Sequence, residues 1–250
     1  MIKSFRKLSS SANLVLELHH TKCIVTNPPS GMHSALCVPA NNQLCGTALP
    51  YFPIGGPVPR DIPSELSKGS NTWGGMDVGS NHMYASQTVD GMVTSLVGKE
   101  LKEVVSSLPV LEVHDGIEYK CLEGSSVVTS APYPLSSNYE FLIHTVPPFK
   151  SDSNAYIKLM SCYTSILDTA CKNTKDLKGI RSLVLPLLGN GARGIPSHEA
   201  IDAALESLST YSHFSDVSVT LRFGFINPSV MEMFESQLRS KPCTWLELSA

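Results

Sequence analysis

The sequence predicts an α/β layered domain with a largely parallel central sheet. Apolar runs of strand length alternate with longer runs of helical period, the pattern of strands wrapped by crossover helices. The stretch 182–196, SLVLPLLGNGARGIP, carries a buried-strand run into three glycines and then into a helix start. At 250 residues, with 42% apolar and 16% charged residues, the chain has the makeup of one globular domain.

The N-terminal MIKSFRKLSSSA is basic, rich in serine and free of acids. It reads as a tail over about residues 1–12 or a leading strand, with an organellar targeting remnant as the alternative. Residues 14–18, 22–26 and 35–38 read as short strands. From about 46 to 88 the pattern dissolves into prolines, glycines and serines, and we read this stretch as an insertion in a single domain spanning 1–250. Loops of such length are uncommon in compact domains and tend to be functional. Helical period resumes at Asp90, placed as the N-cap, with Val93, Leu96, Val97, Leu101, Val104 and Leu108 on one face. Residues 112–124 have hairpin character, and 127–129 and 141–146 read as strands. Tyr156, Leu159, Met160, Tyr163, Ile166, Leu167 and Ala170 mark an amphipathic helix. Residues 183–188 are a buried strand, 196–211 a helix and 217–225 a strand, and Asn227-Pro228 opens a last helix.

The glycine turn is the chemical centre of the sequence. Glycine lets a backbone come close to a ligand, and a helix start offers free N–H groups, a combination suited to a phosphate or diphosphate. A tight turn with no ligand remains the bland alternative. Gly189, Gly191 and Gly194 also fit the dinucleotide spacing, which makes a NAD-dependent oxidoreductase a further alternative. That fold wants an acid at the end of the next strand, and none closes residues 217–225. A phosphate loop at Gly98-Lys99 fails because position 93 is Val93.

A net charge of −3 gives no reason for general nucleic-acid binding. Seven scattered cysteines without a C-x-x-C pair suit a reduced, intracellular protein, cytoplasmic or nuclear. No apolar run is long enough to span a membrane. His19-His20 lacks acidic or cysteine partners at ligand spacing, so no metal site is expected.

Four segments together resemble the macrodomain family, an ADP-ribose-binding α/β/α fold. CVPANNQL, residues 37–44, is similar to the family's I-V-N-A-A-N-x-x-L. Val89-Asp90-Gly91 with the later Gly98-Lys99-Glu100-Leu101 is similar to V-D-G-x-I-x-x-A-A-G-x-x-L. YEFLIHTVPP, residues 139–148, resembles K-Y-V-I-H-T-V-G-P, and residues 185–196 resemble the P-x-I-S-T-G-x-x-G-x-P loop. The resemblance covers about residues 25–240. It implies a three-layer α/β/α fold with a mixed, largely parallel sheet. It implies no cofactor, and ADP-ribose or an ADP-ribosylated protein as partner.

The resemblance also implies site residues. Gly189, Asn190, Gly191, Ala192 and Gly194 would wrap the diphosphate, and Gly91 would add a second helix start. Asn41 would fix the terminal ribose, and Asp90 would orient or deprotonate the attacking water. Because the insertion replaces the family's glycine run, a second register puts Asp77 in the acid's place. Asn27 would stand where the family's adenine-contacting Asp lies. Arg193 replaces an apolar or aromatic residue and either reaches a phosphate or points into solvent. Phe225 either stacks on adenine or belongs to the core. His144 reads as a satisfied core histidine. The function implied is ADP-ribose binding with hydrolysis of mono-ADP-ribosyl groups or related esters; a non-catalytic ADP-ribose reader is the alternative.

Overall fold

The computed structural model describes residues 2–7, 14–29, 31, 33–44, 46, 51–56, 82–171, 180–211, 219–241 and 245–248. In chain order the strands are β1 (Ile2–Lys7), β2 (Leu14–His20), β3 (His33–Pro39), β4 (Tyr51–Pro53), β5 (His82–Tyr84), β6 (Glu112–His114), β7 (Ile117–Tyr119), β8 (Ser126–Ser130), β9 (Tyr139–Thr145), β10 (Ser182–Leu185), β11 (Val219–Phe225) and β12 (Trp245–Leu248). The helices are α1 (Val89–Ser106), α2 (Ala155–Cys171), α3 (Ser197–Thr210) and α4 (Pro228–Arg239).

Eight strands form one sheet in the order β12-β1-β2-β11-β10-β3-β9-β8. The five central strands, β2, β11, β10, β3 and β9, run parallel, and antiparallel pairs close both sides. This is the mixed, largely parallel sheet the sequence predicts. The chain moves outward from β3 to β9 on one side and from β10 to β11 on the other. The carboxyl ends of β3 and β10 therefore diverge and leave a crevice, the usual ligand position in open α/β sheets.

Both faces of the central strands are apolar. Leu183 and Leu185 of β10 join Leu221 and Phe223 of β11 in a cluster with α2, α3 and α4. Val184, Leu36 and Leu142 face the other way, against Val93, Val97, Leu101 and Val105 of α1. Helix layers on opposite faces give the three-layer arrangement.

Several local expectations are corrected. Of the two readings of the N-terminal segment, tail or leading strand, residues 2–7 take the second, a strand paired with both β2 and β12. Residues 22–26 are a turn rather than a strand. Ile24 and Val25 are buried against the α1 side of the sheet, and the Tyr139 hydroxyl donates to the Ile24 carbonyl. Apolar character there reflects plugging, not pairing. Leu96 is exposed, because the buried positions of α1 recur strictly every fourth residue and Val97 departs from helical geometry. The strand expected over 183–188 stops at Leu185, where Pro186 supplies no N–H to continue the ladder.

Candidate functional site

The crevice holds a cavity of about 310 Å³. Its walls are the end of β3 (Pro39), the segment after β10 (Pro186 to Arg193), the end of β11 (Gly224 to Asn227) and the start of α1 (Thr88, Val89). Val230 of α4 and two residues from the near end of the insertion, Met83 and Gln87, complete it.

The glycine turn is shaped by internal hydrogen bonds. The Gly194 N–H donates to the Gly191 carbonyl at 2.9 Å, and the Ile195 N–H to Gly189 at 3.0 Å. The intervening N–H groups, from Asn190 to Arg193, have no partner among the described residues. A run of unpaired amides on a curved backbone is a nest for an anion. Gly189 and Gly194 have φ of 78° and 74°, where a side chain is strained, and a Cβ on Gly194 would lie 2.7 Å from the Gly55 backbone. Gly191 is exposed and its missing Cβ would meet only Met83, at 3.8 Å. The Asn190 amide donates to the Ile195 carbonyl and the Ser197 hydroxyl, so this side chain braces the turn. Helix α3 begins at Ser197, beyond the turn, so the exposed amides belong to the turn itself.

The start of α1 forms the facing wall. Thr88, not Asp90, is the N-cap: its hydroxyl accepts the Gly91 N–H at 3.0 Å. The Gly91 amide is thereby committed to the cap. Gly91 lacks a side chain because a Cβ would fall 1.9 Å from the Ala85 carbonyl oxygen. Asp90 follows the cap with its Oδ1 sealed from solvent and without a hydrogen-bond partner. Burial pushes its carboxyl up to about 7, and the charge of Arg193 pulls the other way. One turn on, the Thr94 hydroxyl is also buried without a partner.

Arg193 lines the cavity rather than pointing out into solvent. It turns inward, donating to the Ala40 carbonyl at 2.8 Å, with its guanidinium 4.1 Å from the Phe149 ring centroid. Its electrostatic neighbours are Glu123, Asp90 and Cys162. Arg193 thus puts a cation between the β3 loop and the glycine turn.

Asn41 is engaged within its own loop. Its amide donates to the Gly46 carbonyl at 2.6 Å and its carbonyl accepts the Gln43 N–H. Neither Asn41 nor Asp90 lines the cavity, although Pro39 and Val89 beside them do. Asn27 is exposed in the turn after β2 and does not line it either. Phe225 lines the cavity while packing against Phe223 and Phe234, so it serves the core and the wall together. Asp77 lies outside the described residues. His144 is buried with Nε2 at 2.9 Å from the Thr129 hydroxyl, its Nδ1 lacks a partner, and burial holds its pKa down at about 4. The satisfied histidine of the sequence reading is therefore satisfied on one nitrogen only. No cluster of three metal-ligating side chains occurs among the described residues. No helix among the described residues is long and apolar enough to cross a membrane.

Of the cavity-lining residues, Met83, Gln87, Thr88 and Ile226 escaped the sequence reading. Thr88 was the most readable of them, as a threonine just before a helical run. The two insertion residues had no local signal, because β4 and β5 meet across a stretch of almost thirty residues.

The Macro domain family profile matches residues 80–204, half of the chain, and the chain belongs to this family. Its fold is similar to the Oceanobacillus iheyensis macrodomain, solved with ADP, at TM-score 0.62 and 18% identity, covering 96% of this chain and 97% of that one. It is also similar to the Trypanosoma brucei macrodomain in complex with ADP-ribose, at TM-score 0.55 and 18% identity, covering 94% of this chain and 74% of that one. No curated protein matches by sequence.

Proposed function

We propose that the chain is a single macrodomain over residues 1–250 that binds ADP-ribose and hydrolyses mono-ADP-ribosyl groups on protein carboxylates or related esters. The observation that carries the binding reading is the cavity at the diverging ends of β3 and β10, walled by the unpaired amides of Asn190 to Arg193. A volume of about 310 Å³ suits a small ligand. Gly189, Gly191, Ala192 and Gly194 would hold the diphosphate from that turn. Phe225 and Ile226 would offer apolar surface to the adenine end. Family relatives solved with ADP and with ADP-ribose support the choice of ligand.

For hydrolysis, Asp90 would take a proton from water as the water oxygen attacks the anomeric carbon. The bond from that carbon to the carboxylate oxygen breaks, releasing ADP-ribose and the free carboxylate. A base with a pKa near the working pH is well matched to this role, and burial brings Asp90 to about 7. The insertion, about residues 46–88, would contact the modified partner at the cleft mouth, where Met83 already meets Gly191.

A specific observation favours the reader alternative. Both polar ends of the Asn41 side chain are bonded inside its own loop, so gripping a ribose requires that loop to open. Release of ADP-ribose from a protein modified on carboxylates separates the two readings. Asp90→Ala should slow release about 10²–10⁴-fold, the usual worth of a positioned general base, with ADP-ribose affinity kept within a few-fold. Asn41→Ala should weaken both binding and turnover, and Asp77→Ala should change little. A wild-type protein inactive on protein esters, O-acetyl-ADP-ribose and ADP-ribose phosphate would assign the domain to the readers.

A further inference from the structure

We infer that Gln87, supplied by the near end of the insertion, is a specificity-determining residue of the cleft: its side-chain amide donates to a phosphate oxygen of a diphosphate seated on the glycine turn. The inference rests on the ADP-ribose reading for the identity of the ligand.

A chain of contacts ties Gln87 to the glycine turn. Strand β5 pairs with β4, which sets Met83 opposite the buried Phe52. Met83 lies over Gly191, where a Cβ would be 3.8 Å from its Sδ and Cε. On the β4 side, the Gly55 N–H donates to the Ala192 carbonyl at 2.9 Å, and the Gly55 backbone would lie 2.7 Å from a Cβ on Gly194. Both arms of the strand pair are therefore fastened to the turn whose amides are unpaired. Gln87 folds back onto the β5 arm, its Oε1 accepting the Tyr84 N–H at 2.9 Å. Gln87, Met83 and the turn all line one cavity.

The bond to Tyr84 fixes which end of the Gln87 amide is which. A backbone N–H can only donate, so the atom facing it is the oxygen and the other end is the NH₂ group. That nitrogen has no hydrogen-bond partner among the described residues, and the side chain is exposed where it meets the cavity. What remains free on Gln87 is therefore a donor. The unpaired amides of Asn190 to Arg193 are donors as well. Two donor surfaces on one cavity suit a group that only accepts, which a phosphate oxygen does and a ribose hydroxyl does not. Thr88, the next residue, caps α1, so the positive end of that helix dipole lies on the same wall. The insertion stands where the family pattern has a glycine run, and glycine has no side-chain donor. The contact is thus a property of this chain.

Calorimetric titration of ADP-ribose into the whole chain and its Gln87 variants distinguishes a ligand contact from a brace, because the two roles predict opposite orders. If the amide grips a phosphate, Gln87→Glu sets a carboxylate against it and should weaken binding about tenfold or more. Gln87→Lys, a cation that still donates, should then bind within a few-fold of the wild type. If Gln87 only braces Tyr84, the Glu variant, which still accepts that N–H, should bind as the wild type does. The Lys variant, which cannot accept it, should then be the weaker. That second order would overturn the inference, as would equal affinities in the two variants. Denaturant midpoints show whether each variant folds. If Gln87→Glu does not, Gln87→Met, which keeps the length without a donor, takes its place and should weaken binding about tenfold. A wild type that binds ADP-ribose no differently from both variants would overturn the inference and leave the ADP-ribose reading standing. A wild type that binds no ADP-ribose would overturn both.

Discussion

Asp90 gives the sharpest expectation at the scale of a single residue. Its carboxyl is raised in the folded protein from an ordinary 3.8 to about 7, chiefly by burial. Between those values the folded state holds a proton that the unfolded state has lost. Asp90 therefore costs stability progressively as pH rises from about 4 to 7, and the loss is complete above that range. His144 acts in the opposite sense, because burial lowers it from 6.5 to about 4 and stability falls as pH drops through 6.5. The two slopes overlap in the wild type, so the informative quantity is a difference. Asp90→Asn should gain stability relative to wild type as pH goes from 4 to 8, measured by denaturant midpoints. A gain that does not depend on pH would contradict the raised carboxyl. At the glycine turn, Gly191→Glu should abolish ADP-ribose binding without unfolding the chain, since its Cβ has room. Gly194→Ala should instead destabilise, because φ is 74° and Gly55 lies 2.7 Å from the new atom. The identity of the turn was legible from Gly189, Gly191 and Gly194 alone. The inward path of Arg193 was not, since its partners Ala40 and Phe149 come from other elements.

Among the elements, α1 is the one whose start matters most to the site. Its first turn is fixed by the Thr88 cap and by the close approach of Gly91 to Ala85. Thr88→Ala should lower stability by about 1 kcal/mol, the usual worth of an N-cap. Gly91→Ala should cost roughly 1–3 kcal/mol, as overpacking does, and displace Asp90 with the turn. Chemical denaturation measures both losses, and an unaffected Gly91→Ala would show that the first turn has slack. The helices and central strands were readable because period and burial agree, as with Leu159, Tyr163, Ile166 and Ala170 of α2. Misreadings fell where apolar residues are buried without pairing. Ile24 and Val25 look like strand residues in sequence but plug the sheet from a turn. Conversely β1 read equally as a tail or a leading strand, because Phe5 is its one apolar residue that joins the core.

For the whole molecule, the topology places every wall of the cavity, and the insertion was the feature least accessible to sequence reasoning. Its described ends pair as β4 and β5, and the Gly55 N–H donates to the Ala192 carbonyl at 2.9 Å. The ends of the insertion are thus fastened to the glycine turn by long-range contacts that no local pattern encodes. Deleting most of residues 57–81 while keeping β4 and β5 should preserve the fold and change substrate choice. Unchanged turnover on every substrate would reject a role for the insertion at the cleft. Whether this cleft takes ADP-ribose is decided by calorimetric titration of the purified chain. ADP-ribose should bind with measurable heat and saturate, more tightly than NAD or ATP, and Gly191→Glu should abolish the signal. No heat for ADP-ribose at concentrations well above micromolar, or tighter binding of NAD, would rule out an ADP-ribose cleft.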